Sequence, residues 1–390
     1  AQVNAEKINA ALSKRGHVVI AAGQGTVYVS ETLIIESETH LQVGKGTRIR
    51  RTDGMRAPIL ENRAHRNHEA DARTTVTIAW TEGSVATVTW PNHGLTRKNY
   101  IWTKGATGAS ANTYNSVFRV MSVLSANTFT IHLPEVPKAA AGGTIRALVC
   151  DHAIHVQGGE WDGNYANIGN PEITYNRDNW MLTGIGASLF EDYEHYDHHR
   201  GMTSGALADV TFRNSFTIGN DDVSSEAHKT FGPINGLLLE NLNMNGSDDA
   251  MSIQTEEAPE FAWANQSEGD IWNVTVRKCR GQSANRAAGA GIVLYCANGY
   301  KFAGMVFEDC TGHSTQGAGF AITYGNTFHG GTVEDLTLRN CEFSTANKAT
   351  QFAINIGCPV GILTIENDKT KQSSNDEVAV LVQGAAFIKI

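Results

Sequence analysis

The sequence predicts an all-β protein: a single-stranded right-handed parallel β-helix with an N-terminal capping helix and a small inserted antiparallel β unit. The first observation behind this is a repeat. Six segments read apolar–x–apolar, then in most copies a charge and a turn-forming polar residue: Val210-Thr211-Phe212-Arg213-Asn214, Leu237-Leu238-Leu239-Glu240-Asn241, Val274-Thr275-Val276-Arg277-Lys278, Met305-Val306-Phe307-Glu308-Asp309, Leu336-Thr337-Leu338-Arg339-Asn340 and Leu363-Thr364-Ile365-Glu366-Asn367. Their starts are 27, 37, 31, 31 and 27 residues apart. Alternation with period two marks strands, and recurrence at this interval marks a stacked array. The second observation is phase: Cys279, Cys310 and Cys341 fall 31 residues apart at one point of the repeat. They are expected to stack inward as free thiols. The third is composition, with 39 Gly against 8 Pro in 390 residues, which suits many tight turns between short strands. The leucine-rich repeat, a competitor at this period, lacks its signature here.

Taken in order, residues 4–15 read as a short amphipathic helix with Ile8, Ala11 and Leu12 on one side, placed to cap the open end of the solenoid. Strands around Val18, Val27 and Ile34 form the first coil. Residues 74–143 break the pattern with Ala86-Thr87-Val88-Thr89-Trp90, Phe118-Arg119-Val120 and Asn127-Thr128-Phe129-Thr130-Ile131, read as a separate small antiparallel unit. The expected organisation is therefore 1–73 (cap and first coils), 74–143 (insertion) and 144–390 (main β-helix). A second strand follows each repeat strand, with Met251/Ile253, Ile292/Leu294, Phe320/Ile322 and Phe352/Ile354 expected at equivalent inward positions.

Charge and cysteine usage exclude several classes. A formal net charge of −9 argues against nucleic acid and does not steer a polyanion. No apolar run is long enough to span a bilayer. The six cysteines lack metal-ligand spacing, so no metal and no cofactor are expected. The opening Ala1-Gln2-Val3-Asn4 is not a signal peptide, which fits either its removal or release without one, as for a virion protein.

Several motifs resemble known families. The N-terminal helix followed by Gly25-Thr26-Val27-Tyr28 resembles the entry of pectin-lyase-like β-helix proteins, and Gly158-Gly159-Glu160-Trp161-Asp162-Gly163-Asn164 resembles a turn frequent in that superfamily. Within the insertion, His93-Gly94-Leu95, Gly105-Ala106-Thr107-Gly108 and Asn127-Thr128-Phe129-Thr130 resemble a module of bacteriophage tail proteins. Together they imply a tailspike polysaccharide depolymerase of the pectin-lyase-like superfamily. By that resemblance it sits on a phage tail, acts outside the host cell, assembles as a homotrimer and takes a bacterial surface polysaccharide, capsule or O-antigen, as its partner.

The candidate chemistry lies in two Asp-Asp pairs. Asp221-Asp222 and Asp248-Asp249 stand at strand entries on consecutive coils, and aligning Met251 with Val223 sets Asp249 over Asp221. Carboxyls one coil apart, about 4.8 Å, share charge, so one proton is retained, and glycoside hydrolysis needs such an acid and a base or nucleophile. Gly246-Ser247-Asp248-Asp249-Ala250-Met251-Ser252-Ile253 resembles the Gly-Asp-Asp-Cys-Ile-Ala-Ile motif of polygalacturonase-type hydrolases, which implies Asp248 and Asp249 as acid or base and Asp221 or Asp222 as a third carboxylate. The chain departs from that family at Gly289-Ala290-Gly291, where a histidine is expected. Glu226, aligned with Gln254 on the outward face, is a further candidate acid. His228, Gln254, Trp263, Tyr295 and Trp180 are candidate substrate contacts, with Tyr193 and Tyr196 as further flat faces for sugar rings. The segment 191–200, rich in His and carboxylates, reads as an exposed polar loop. Three functions stay open: a hydrolase, a lyase acting by β-elimination on the same fold, and a non-catalytic glycan-binding spike.

Overall fold

The computed structural model describes residues 2–168, 178–219, 225–256, 267–284, 289–297, 299–323, 331–346, 352–372, 380–382 and 385–389. Outside the insertion its strands pair in parallel, each with the equivalent strand one coil on, and form three faces. The first sheet is built by Asp178–Gly186, the opening of Arg200–Ile218, the opening of Glu226–Gly246, then Met251–Gln254, Ile292–Tyr295, Phe320–Thr323, Ile354–Ile356 and Val380–Val382. The second carries the six repeat segments, paired so that Val210, Leu237, Val274, Met305, Leu336 and Leu363 lie in one row. The third runs through Arg280–Ser283, Thr311–Ser314, Glu342–Thr345 and Lys369–Gln372.

Period-two alternation makes each inward row continuous. On the second sheet Val18, Leu41, Val156, Phe190, Phe212, Leu239, Val276, Phe307, Leu338 and Ile365 pair coil by coil. The eight internal members are fully buried, and only Val18 and Ile365 at the two ends are half-exposed. Burying side chains of this size stabilises by about 1.5–3 kcal/mol each, so the register is pinned: a one-residue slip would turn the whole row to solvent.

The polar fifth residue of each repeat has a structural cause. Asn214, Asn241, Lys278, Asp309, Asn340 and Asn367 all have φ between 53° and 57°, the left-handed conformation that turns the chain from the second face to the third. Asn and Asp tolerate it best among residues with a side chain. Two of these corners also stack, Asn241 Nδ2 donating to Asn214 Oδ1 (3.0 Å) and Asn367 Nδ2 to Asn340 Oδ1 (3.3 Å). The cysteine row follows directly: Cys279, Cys310 and Cys341 are buried, and their thiols donate to Leu239, Val276 and Phe307 carbonyls one coil back. All six cysteines are free. The Gly158–Gly159 turn is structural too, because a Cβ at Gly158 would meet the Val43 carbonyl oxygen at 2.3 Å.

The helix Gln2–Leu12 covers the N-terminal end, with Ala5 and Leu12 fully buried against the first coils. The chain leaves the solenoid after the first-sheet strand Leu60–Asn62 through the helix Arg63–Glu69 and returns on Arg146–His152. Between them Thr77–Trp80, Val85–Thr89, Thr128–His132, Val117–Ser125 and Tyr100–Lys104 pair antiparallel around a core of their own that includes Val88, Tyr114, Val120 and Phe129. These residues lean along the corner between the first and second faces. Lys104 pairs with Glu268 (2.9 Å), Asn112 Nδ2 donates to Asp270 Oδ1 (3.0 Å), and Lys301 pairs with Glu135 (2.9 Å).

Two expectations are corrected. Phe320 pairs with Ile354, so Phe352 lies two residues before the inward position and is half-exposed. Residues 191–200 are not an exposed loop: Tyr193, His195, His198 and His199 are buried, because Glu194–Tyr196 is a third-face strand that pairs with its neighbours on both sides.

Candidate active site

The first sheet's register decides what meets what. Met251 pairs with His228, so the alignment of Met251 with Val223 is wrong, and so is that of Glu226 with Gln254. Gln254 lies opposite Phe231, and Glu226 and Asp249 each stand two residues before the paired His228 and Met251. Asp249 therefore stacks on Glu226. The sequence held the clue: Glu226-Ala227-His228 and Asp249-Ala250-Met251 are both acid–Ala–inward residue, with Ala227 and Ala250 buried in the core. Asp221, Asp222 and Trp263 lie outside the described residues.

Asp249 sits at the start of its strand and is 3% exposed. Its Oδ1 accepts from the Ala290 N–H (2.8 Å) and its Oδ2 from the Tyr295 hydroxyl (2.8 Å). Burial, then the charges of Asp248 and Glu226, push its carboxyl well above the usual carboxylate range, against those two donors. Asp248 is half-buried and its backbone N–H holds the Ser225 carbonyl (3.1 Å).

Glu226 is nearly as buried, at 6% exposed. Lys229 Nζ lies 3.0 Å from both carboxylate oxygens, and Arg200 Nε lies 2.9 Å from Oε2, a charge contact rather than an aligned hydrogen bond. Burial alone pushes this carboxyl up; Lys229 and Arg200 outweigh it and hold Glu226 below its ordinary value. Neighbouring coils therefore present two carboxyls whose surroundings shift them in opposite directions, Asp249 toward the protonated form and Glu226 toward the ionised one. Environments that drive two acids apart in this way are what acid–base chemistry on one bond requires.

The remaining candidates divide by face. Gln254 and Tyr295 are in register on the outer side of the first sheet, and Gln254 Nε2 donates to Ser252 Oγ (3.2 Å). Tyr295 is half-buried and touches Asp249 directly. His228 and Trp180 are not substrate contacts. They belong to the inward row Trp180–Met202–His228–Met251, where strand alternation points them away from any glycan. His228 bonds Thr230 Oγ1 (2.9 Å), and burial lowers its pKa to about 3. Trp180 is fully buried, packed edge-on against Trp161 at 5.0 Å and beside Tyr193 at 4.6 Å; Tyr193 is likewise core. Tyr196 is half-buried beneath Arg48, 5.5 Å from the ring centre. Lys229 and Arg200 were missed, and the signal for both was the register itself. Among the described residues no group of His, Cys, Asp and Glu is arranged to hold a metal ion.

No family model matches the chain, and no curated protein matches it in sequence. Solved structures do. The tailspike gp61 of Pseudomonas phage phi297 superposes with a TM-score of 0.50 at 11% identity over 97% of this chain and 67% of that one. The ORF18 protein of Geobacillus virus E2 gives 0.50 at 10% identity, over 97% of this chain and 55% of that one. The chain has a right-handed parallel β-helix fold. An endo-xylogalacturonan hydrolase from Aspergillus tubingensis is also similar, with a TM-score of 0.47 at 10% identity over 98% of this chain and 96% of the other. At these identities the likeness is one of fold, and the chain spans little more than half of the Geobacillus virus protein's length.

Proposed function

We propose that the chain is a tailspike-type depolymerase that hydrolyses glycosidic bonds of a bacterial surface polysaccharide, working from a phage tail on the host surface as a homotrimer. The observation that carries this reading is the Glu226–Asp249 pair, two buried carboxyls on adjacent coils, the first ion-paired to Lys229 and Arg200 and the second hydrogen-bonded to the Ala290 N–H and the Tyr295 hydroxyl. Asp249 is the general acid: burial and the neighbouring carboxylates favour its protonated form, and Tyr295 orients it. Glu226 is the base or nucleophile, kept anionic by Lys229 and Arg200. Asp248, half-buried beside the pair, adds negative charge that favours a cationic sugar at the transition state. Gln254 supplies an amide to the same outer face.

The test is a panel of purified capsular and O-antigen polysaccharides incubated with the wild-type chain, followed by reducing-end assay and mass spectrometry. New reducing ends with saturated oligosaccharides support hydrolysis. Products that absorb as unsaturated uronates replace it with a lyase. Binding without products on any member leaves a non-catalytic spike.

A further inference from the structure

Asp178, Arg200, Glu226 and Asp249 occupy one position on four successive coils. Asp178 pairs in register with Arg200, and Arg200 with Glu226; Glu226 and Asp249 stand two residues before a paired couple. All four are buried, none more than 6% exposed. The signs along the column run acid, base, acid, acid at steps of about 4.8 Å. The proposed chemistry sets the last two at the bond to be broken.

We propose that Arg200, acting with Lys229, is a positioning residue of the site: in register between Asp178 and Glu226 and paired with the latter, it fixes the Glu226 carboxylate and decides that the negative charge of the pair rests there rather than on Asp249. This rests on the reading of Glu226 and Asp249 as the reacting pair. Two carboxyls one coil apart cannot both ionise cheaply in a buried site. Symmetric surroundings would leave the proton shared and neither group fit for a single role. The surroundings here are not symmetric. Glu226 meets a guanidinium from the preceding coil and an ammonium from its own strand, whereas among the described residues Asp249 meets neutral donors, the Ala290 N–H and the Tyr295 hydroxyl. Among the described residues, the other charged or titratable groups acting on the pair are Asp178 and His199 on the Arg200 side and Asp248 beside Asp249. Asp178, raised by burial to about 6 despite Arg200, is largely neutral once the pH falls below that value, which leaves Arg200 committed to Glu226 where the base loses its charge.

The experiment is the pH profile of kcat/KM for Arg200→Gln, Arg200→Lys and Lys229→Met, on whichever polysaccharide of the panel the wild type cleaves, with thermal unfolding measured on each. Removing a cation at this distance raises a carboxylate pKa by about 1–3 units. The acid limb of Arg200→Gln should therefore move up by about one pH unit or more, a tenfold or greater loss at a fixed pH below the limb. Arg200→Lys, which keeps the charge, should bring the limb back toward the wild-type position. A wild-type limb in Arg200→Gln, or a loss equal at every pH, overturns the inference; if that variant does not fold, Lys229→Met is judged by the same criterion. Glu226→Gln in the same assay separates the two levels. If it cleaves at the wild-type rate, the reacting pair is misassigned and the inference falls with it. If it is inactive while the limb of Arg200→Gln stays in place, only the role of Arg200 is refuted.

Discussion

Asp249→Asn separates catalysis from folding at the proposed acid. The amide matches the protonated carboxyl in shape and in hydrogen bonding. Its oxygen takes the Ala290 N–H, and its nitrogen donates to the Tyr295 oxygen once that hydroxyl rotates. What it lacks is a proton to give up. Loss of a general acid costs about two to four decades in rate. The stability effect has the opposite sign. The folded-state pKa of Asp249 is raised, so between the ordinary carboxylate value and the folded value the native chain holds a proton that the unfolded chain releases. Each pH unit within that window costs about 1.4 kcal/mol of stability. The substitution removes that penalty, so the melting temperature at pH 7 should hold or rise by a few degrees, whereas below about pH 4 variant and wild type should melt together. Product release and thermal unfolding at both pH values measure the two halves. Wild-type cleavage would refute the acid role; a melting point lowered equally at pH 4 and pH 7 would refute the buried, protonated state.

Glu226→Gln should be equally inactive yet less stable, since it leaves Lys229 and Arg200 buried beside a neutral amide; breaking a buried ion pair from one side costs about 3–5 kcal/mol. The folded pKa of Glu226 is depressed, so its stabilisation is present above the ordinary glutamate value and is lost as pH falls through the folded value. The penalty of the variant, read from denaturant midpoints, should accordingly shrink in acid. Tyr295→Phe, which keeps the ring and removes the hydroxyl at 2.8 Å from Asp249, should lower kcat by about tenfold or more and leave far-ultraviolet circular dichroism unchanged. Thiol titration in denaturant without reductant should find all six cysteines reactive; any disulfide contradicts the stacked row. Light scattering at micromolar concentration should give the mass of a trimer, and a stable monomer of 42.1 kDa contradicts the assembly.

The second face was legible because its inward residues are large, apolar and evenly phased, from Val210 to Leu363, and every repeat but the one at Lys278 ends on an Asn or Asp suited to the left-handed corner. The cysteine row came from the same phase. The first face was harder to read. Its strands are only three or four residues long after Gly246, and the connections around them vary in length, so Phe352 was placed two residues out and Asp249 was set against Asp221. Composition misled as well. His195, His198, Arg200 and Glu226 look like surface residues, yet they are buried, Arg200 and Glu226 through ion pairing across coils that local sequence does not encode. Trp180 and His228 misled in the opposite sense: aromatic and polar side chains suggested sugar contacts, but alternation along the first face aims both inward.

The most direct test of the central claim follows reducing ends on the cleaved polysaccharide for wild type, Asp249→Asn and Glu226→Gln, with folding of each verified by thermal unfolding. The expected result is cleavage by the wild type, a loss of about two decades or more in each single variant, and no further loss in the double variant, because the two carboxyls serve one bond-breaking event. Folded single variants that both release product at the wild-type rate would contradict the account and move the chemistry to another part of the solenoid.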